Sequence, residues 1–171
     1  KEVHGRTLRR TVGRVHEACR ATGRWVPCSE GWTLRRLIAS FRVACDAIGF
    51  AHSRGLLHCD VKPDNVMIGG YGEILVVDWG LVQTLEGDRR PGSIAGTPAY
   101  MSPEQAAGET DRVDHRSDVY SLGATLFEIL YGRPPYRGDD PLSILKAVLA
   151  GPPEPRELPA PVSEGLVEGW E

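Results

Sequence analysis

The sequence predicts an α+β domain, mainly helical, with one small β-hairpin. Three observations support this: apolar residues recur at helical spacing in four stretches, two short β-branched runs flank a glycine turn, and nothing repeats. A length of 171 residues with 41% apolar content suits one domain with a real core.

Each element has its own signal. After KEVHG, the residues Leu8, Val12, Val15 and Cys19 mark one face of a first helix, with Thr7 placed to cap it. ATGRWVPCSEGW reads as a loop. Thr33 caps a second helix whose predicted buried face is Leu34, Leu37, Ile38, Phe41, Cys45, Ile48 and Ala51, closing at Gly55. VMI and EILVVD, joined by GGYG, predict the hairpin. Residues 81–101 lack periodicity and predict a long loop. A further helix is expected from Ser117 or Asp118 to Gly132, burying Val119, Leu122, Leu126, Ile129 and Leu130. Pro141 opens a short helix through Leu149, followed by a proline-rich connection and a weak helical pattern.

Charge and cysteine usage exclude several classes. The net charge of −3, from 23 acidic and 20 basic residues, gives no electrostatic footprint for nucleic acid or an anionic membrane. Arg6, Arg9, Arg10 and Arg14 read as a solvated helix face. Cys19, Cys28, Cys45 and Cys59 are too unevenly spaced for a zinc site or a disulfide framework, so reduced thiols and a cytoplasmic location are expected. The longest apolar stretch, VYSLGATLFEILY, is interrupted by Glu128 and too short to span a bilayer.

The chemistry concentrates in GLLHCDVKPDNVMI, Gly55 to Ile68, on the loop between helix and hairpin. An aspartate can orient a hydroxyl and accept its proton, a lysine two residues on can neutralise moving charge, and an asparagine three further on can hold a metal. HCDVKPDN resembles the H-R-D-L-K-P-x-N catalytic loop of protein kinases. Asp78-Trp79-Gly80 resembles D-F-G, GTPAYMSPE (Gly96 to Glu104) resembles the end of an activation segment, and SDVYSLGATLFEILYGRPPY resembles the central helix of the larger lobe. These motifs fall in family order, and Lys62 with GTPAYMSPEQ is most similar to bacterial serine/threonine kinases.

The resemblance implies a protein kinase-like fold. Residues 1–171 would form a partial kinase domain: a hinge-like segment over 1–5, a helical lobe over 6–150, and a proline-rich connection with the start of a helix over 151–171. The lobe would carry its catalytic loop at 58–65 and its activation segment at 78–104. The implied activity is transfer of the ATP γ-phosphate to a protein Ser or Thr hydroxyl, with Mg2+. The implied catalytic residues are Asp60, Lys62 and Asn65, with Asp60 as the base and Lys62 at the γ-phosphate. Asn65 and Asp78 are the implied metal ligands, and Val3 the implied backbone contact to adenine. His58 should pack beneath the loop, Asp118 should hold the loop backbone, and Thr97 should contact Asp60 and Lys62.

Two departures stand out. Cys59 replaces the arginine that in the family receives an activation-segment phosphate, which puts activation through Ser93 or Thr84 in doubt, although Arg89 and Arg90 offer local charge. The glycine-rich loop and strand lysine of the small β-rich N-lobe are absent: Lys1, Lys62 and Lys146 are the three lysines, and Lys1 is too close to Asp60 for that role. The missing lobe is expected in the same, longer polypeptide. The alternatives are a pseudokinase-like binding module, against which the presence of Asp60, Lys62, Asn65 and Asp78 counts, or a truncated remnant, in which the intact motifs would be history only.

Overall fold

In the computed structural model, residues 5–84, 95–153 and 158–162 are described. Val3, Arg89, Arg90 and Ser93 lie outside them. A short strand, β1 (Gly5–Thr7), leads directly into helix α1 (Leu8–Thr22), whose N-cap is the Thr7 hydroxyl accepting the Arg10 amide. Helix α2 (Leu34–Ser53) begins on a Thr33 cap and ends before a left-handed Gly55. Strand β2 (Leu56–Leu57) enters the polar loop, and a 3-10 turn at Pro63–Asn65 leaves it.

Strands β3 (Val66–Gly69) and β4 (Ile74–Val76) form the expected antiparallel hairpin, with Met67 opposite Leu75. The sequence reading missed that β1 completes a three-stranded sheet in the order β1-β3-β4. Gly5 permits this pairing, because a Cβ there would sit 2.4 Å from the Ile68 carbonyl oxygen. A three-residue strand carries too little pattern to be seen in sequence. The second small sheet was also missed: Leu56–Leu57 pairs with β5 (Gln83–Thr84), inside the stretch expected to be a loop.

The main core joins Leu8, Val12 and Val15 of α1 to Leu34 and Leu37 of α2 and to Val66 and Ile68 of β3. The hairpin is thereby fixed against both helices, which sets the height of the polar loop feeding it. On α2 the buried face includes Ser40 and Ala44, while Ile38, Phe41 and Cys45 are only half-buried.

After a four-residue helix, α3 (Pro103–Ala106), comes the central helix α4 (His115–Tyr131). It starts earlier than expected, on an Asp114 cap, and stops at left-handed Gly132. Its expected apolar face is wrong in part: Val119 is 56% exposed and Leu122, Leu126 and Leu130 are half-buried, leaving Ile129 as the fully buried member. The buried side instead carries Ser117, Asp118, Ser121, Ala124, Thr125 and Glu128. Four of these polar side chains, Ser117, Asp118, Ser121 and Glu128, bond to the polar loop or to the segment around Tyr100 and Glu104, so hydropathy alone points to the wrong side of the helix. Helix α5 (Pro141–Ala150) closes the fold from an Asp140–Ser143 capping box, as Pro141 suggested. Among the described residues no helix is long and apolar enough to cross a membrane.

Candidate active site

The polar loop hangs from β2 and is held from beneath by α4. Asp118, 1% exposed, accepts the His58 amide on Oδ2 and the Cys59 amide on Oδ1, each at 2.8 Å. His52, in the last turn of α2, bonds the same Oδ2 at 2.8 Å. The carboxylate thus fixes two consecutive backbone amides from one rigid helix. Cys59 is held at φ +64°, a left-handed conformation that costs a non-glycine residue about 1–3 kcal/mol. Its thiol packs with Leu57 and Val113 in a buried apolar cluster.

His58 is fully buried. Its Nε2 donates to the Val77 carbonyl at 3.1 Å, which leaves Nδ1 as the acceptor for the Asp60 amide at 3.3 Å. This is the packing role the resemblance implied. Asp60 then projects into a shell of donors. Lys62 Nζ lies 2.6 Å from Asp60 Oδ2 and 2.6 Å from the Thr97 hydroxyl, and the Thr97 amide donates to Oδ1 at 2.8 Å. Asn65 Nδ2 donates to the Asp60 carbonyl at 2.8 Å and to Oδ2 at 3.2 Å. With its amide nitrogen committed to Asp60, the Asn65 side chain has its oxygen as the atom available to a cation.

Thr97 reaches Asp60 because Gly96, at φ +122°, turns the chain against the loop. A Cβ there would approach the Cys59 carbonyl oxygen to 3.1 Å in a backbone region closed to other residues. On the far side the Asn65 carbonyl accepts the Val77 amide at 2.9 Å, which places Asp78 one residue from a direct tie to Asn65. Asp78 is exposed at φ +62°, and the Trp79 ring lies 4.6 Å from the His58 ring, with its Nε1 donating to the Val76 carbonyl at 3.0 Å. Tryptophan in this position keeps the apolar wedge and adds a bond that phenylalanine could not make.

So Asp60, Lys62, Asn65 and Thr97 converge as the sequence led one to expect, and Asp78 follows them at the end of the hairpin. Two groups of residues were missed. Gln105 ties α3 to the loop through a 2.9 Å bond from Nε2 to the Cys59 carbonyl; the S-x-x-Q pattern announces its capping role but not this bond. Arg9, taken as part of a solvated face, instead donates to Asp64 at 2.5 Å and to the Tyr100 hydroxyl at 2.6 Å, and pairs with Glu128 at 3.2 Å. The Tyr100 hydroxyl donates in turn to Glu128. Burial pushes the Glu128 carboxyl up, with Arg9 and Tyr100 pulling the other way, and burial together with Glu128 pushes the Tyr100 phenol up. Burial works to lower the Arg9 guanidinium, but Tyr100, Glu128 and Asp64 outweigh it, so Arg9 stays firmly charged.

Such an arrangement can hold a hydroxyl against a carboxylate and place a single positive charge beside it, within reach of oxygen ligands for a hard cation. Residues 28–158 match the protein kinase domain family. Serine/threonine-protein kinase PknB of Mycolicibacterium smegmatis is 46% identical over 114 residues, covering 64% of this chain and 18% of that protein. PknB of Mycobacterium tuberculosis is 41% identical over 138 residues, covering 78% of this chain and 21% of that protein. The DNA damage-responsive serine/threonine-protein kinase RqkA of Deinococcus radiodurans is 40% identical over 137 residues, covering 78% and 20%. The chain therefore spans about a fifth of the length of these curated relatives. Together with the loop that holds Asp60, Lys62 and Asn65, the match over 28–158 means that this chain belongs to the protein kinase family, in its bacterial serine/threonine branch.

Proposed function

We propose that this chain is the catalytic-loop-bearing lobe of an ATP-dependent protein serine/threonine kinase. The observation that carries this reading is the Asp60 carboxylate, ringed by Lys62, Asn65 and the Thr97 amide on a backbone pinned by Asp118. Asp60 orients the substrate hydroxyl and accepts its proton as the oxygen attacks phosphorus. Lys62, held between Asp60 and Thr97, steadies the charge of the phosphoryl group in transfer. Thr97 lines the place of the acceptor, which suits a Ser or Thr hydroxyl on a protein. PknB and RqkA, by their names serine/threonine kinases, favour the same substrate class.

The donor set fits magnesium. Asn65 offers an amide oxygen and Asp78 an exposed carboxylate, both hard ligands, and Mg2+ characteristically takes only one or two protein oxygens beside phosphates and water. ATP with this ion supplies the transferable phosphoryl group and the charge neutralisation that transfer requires. For adenine, the backbone near Val3 remains the proposed contact.

The domain layout is also proposed: hinge-like residues 1–5, the helical lobe over 6–150 with catalytic loop 58–65 and activation segment 78–104, then the connection over 151–171. The N-lobe would belong to the same polypeptide, which we place in the cytoplasm; four cysteines not joined in disulfides among the described residues support that location. Substituting Asp60→Ala in the full-length protein should lower phosphate transfer to a protein substrate at least about a thousandfold while the protein remains folded by circular dichroism. Retained transfer would sink the assignment.

A further inference from the structure

We infer that Gln105 is a positioning residue for phosphate transfer, acting through the backbone of Cys59. This rests on the kinase reading above and adds a residue to it. Gln105 is 6% exposed and its amide has one self-consistent orientation. Oε1 accepts the Ser102 amide and the Ser102 hydroxyl, each at 3.1 Å, so that atom must be the oxygen; Nε2 donates to the Cys59 carbonyl at 2.9 Å. Reversing the amide would set donor against donor at one end and acceptor against acceptor at the other.

The carbonyl it grips belongs to a left-handed residue, Cys59 at φ +64°, immediately before Asp60. Asp118 holds the amide of that same residue. Cys59 is thus clamped on both polar groups, from α4 on one side and from α3 on the other. Gly96 closes over the same carbonyl, and its neighbour Thr97 donates to Asp60. The Cys59 side chain packs against Leu57 and Val113, and the bond from Gln105 to its carbonyl links α3 to the loop. If the clamp opens, Cys59 can relax toward negative φ and rotate the Asp60 carboxylate away from Lys62 and Thr97.

The test is a double-mutant cycle in the full-length protein. Gln105→Glu keeps the acceptor for Ser102 and removes the donor to Cys59; Cys59→Gly makes the left-handed conformation free of side-chain strain. Steady-state kinetics with ATP and a Ser/Thr peptide are read alongside hydrogen–deuterium exchange over residues 57–62. In the natural background Gln105→Glu should lower kcat about tenfold with KM for ATP within about twofold, and exchange should quicken. In the Cys59→Gly background the loss should shrink to less than about threefold. An unchanged kcat, or an equal loss in both backgrounds, overturns the inference, because a merely structural glutamine would not sense the strain at Cys59. Should Gln105→Glu not fold, Gln105→Met takes its place in the cycle with the same two readings. If the natural protein transfers no phosphate, the kinase reading falls. The clamp then stands or falls on whether exchange over 57–62 quickens in Gln105→Glu and less so with Cys59→Gly.

Discussion

The floor of the candidate site and the outer face of its hairpin sheet lie side by side and are built on opposite plans. On the floor the polar side chains have protein partners: Asp60 is 8% exposed yet accepts from Lys62, Asn65 and Thr97, and Asp118 at 1% accepts two amides and an imidazole bond. On the sheet face, Leu75 is 40% exposed opposite a half-buried Met67, and Leu81 and Val82 just beyond Asp78 are 36% and 42% exposed. The floor is preorganised by this chain alone. The sheet face leaves apolar surface in water next to the proposed metal ligand Asp78, as expected of half a cleft. In the proposed function, positioning of the acceptor and binding of the nucleotide would reside in separable surfaces, and substitutions should separate them.

The largest effect is expected at Asp118. Asp118→Ala leaves the His58 and Cys59 amides buried without an acceptor and should cost about 3–5 kcal/mol in urea unfolding, besides abolishing transfer. A loss below about 1 kcal/mol would mean the floor is not held from α4. Next comes the tie between α1 and the floor. Arg9→Met strands the 4%-exposed Glu128 and should cost about 1–3 kcal/mol at pH 7, less than a fully buried pair because Arg9 is itself part-exposed. The penalty depends on pH with a definite sign. Burial holds the Glu128 carboxyl above its ordinary value, so on acidification it takes up its proton sooner than an exposed glutamate and no longer needs the cation. The gap between variant and parent should accordingly narrow as pH falls through that raised pKa, and thermal melts from pH 7 to 4 would measure it. A gap that stayed constant on acidification would assign the loss to packing of the arginine stem instead. The smallest effect on stability belongs to the sheet face. Leu75→Thr should change stability by no more than about 0.5 kcal/mol but weaken ATP binding by the full-length protein, measured by calorimetry. A large loss of stability would show that Leu75 serves this lobe rather than the cleft.

Much of this molecule was legible in sequence because the signals are local. Thr7, Thr33 and Pro141 set helix starts through interactions within three residues, and the GGYG turn fixed the hairpin register. The resemblance of HCDVKPDN and Asp78-Trp79-Gly80 to kinase motifs singled out Asp60, Lys62, Asn65 and Asp78. What misled was the assumption that buried means apolar. Val119 looked like core and is exposed, whereas Ser117, Asp118 and Glu128 looked like surface and are buried. Arg9 looked like solvent-facing charge and turned out to join three elements.

By itself, then, the sequence determined the family, the order of the helices, the hairpin and the polar cluster around Asp60, because each rests on residues close together in the chain. Only the tertiary structure decided which side of α4 faces inward, that β1 completes the sheet, and that Gln105 reaches the carbonyl of Cys59 across 46 positions. Those outcomes depend on hydrogen bonds between distant segments. A polar side chain goes inside when a partner awaits it there, and one stretch of sequence cannot reveal that partner.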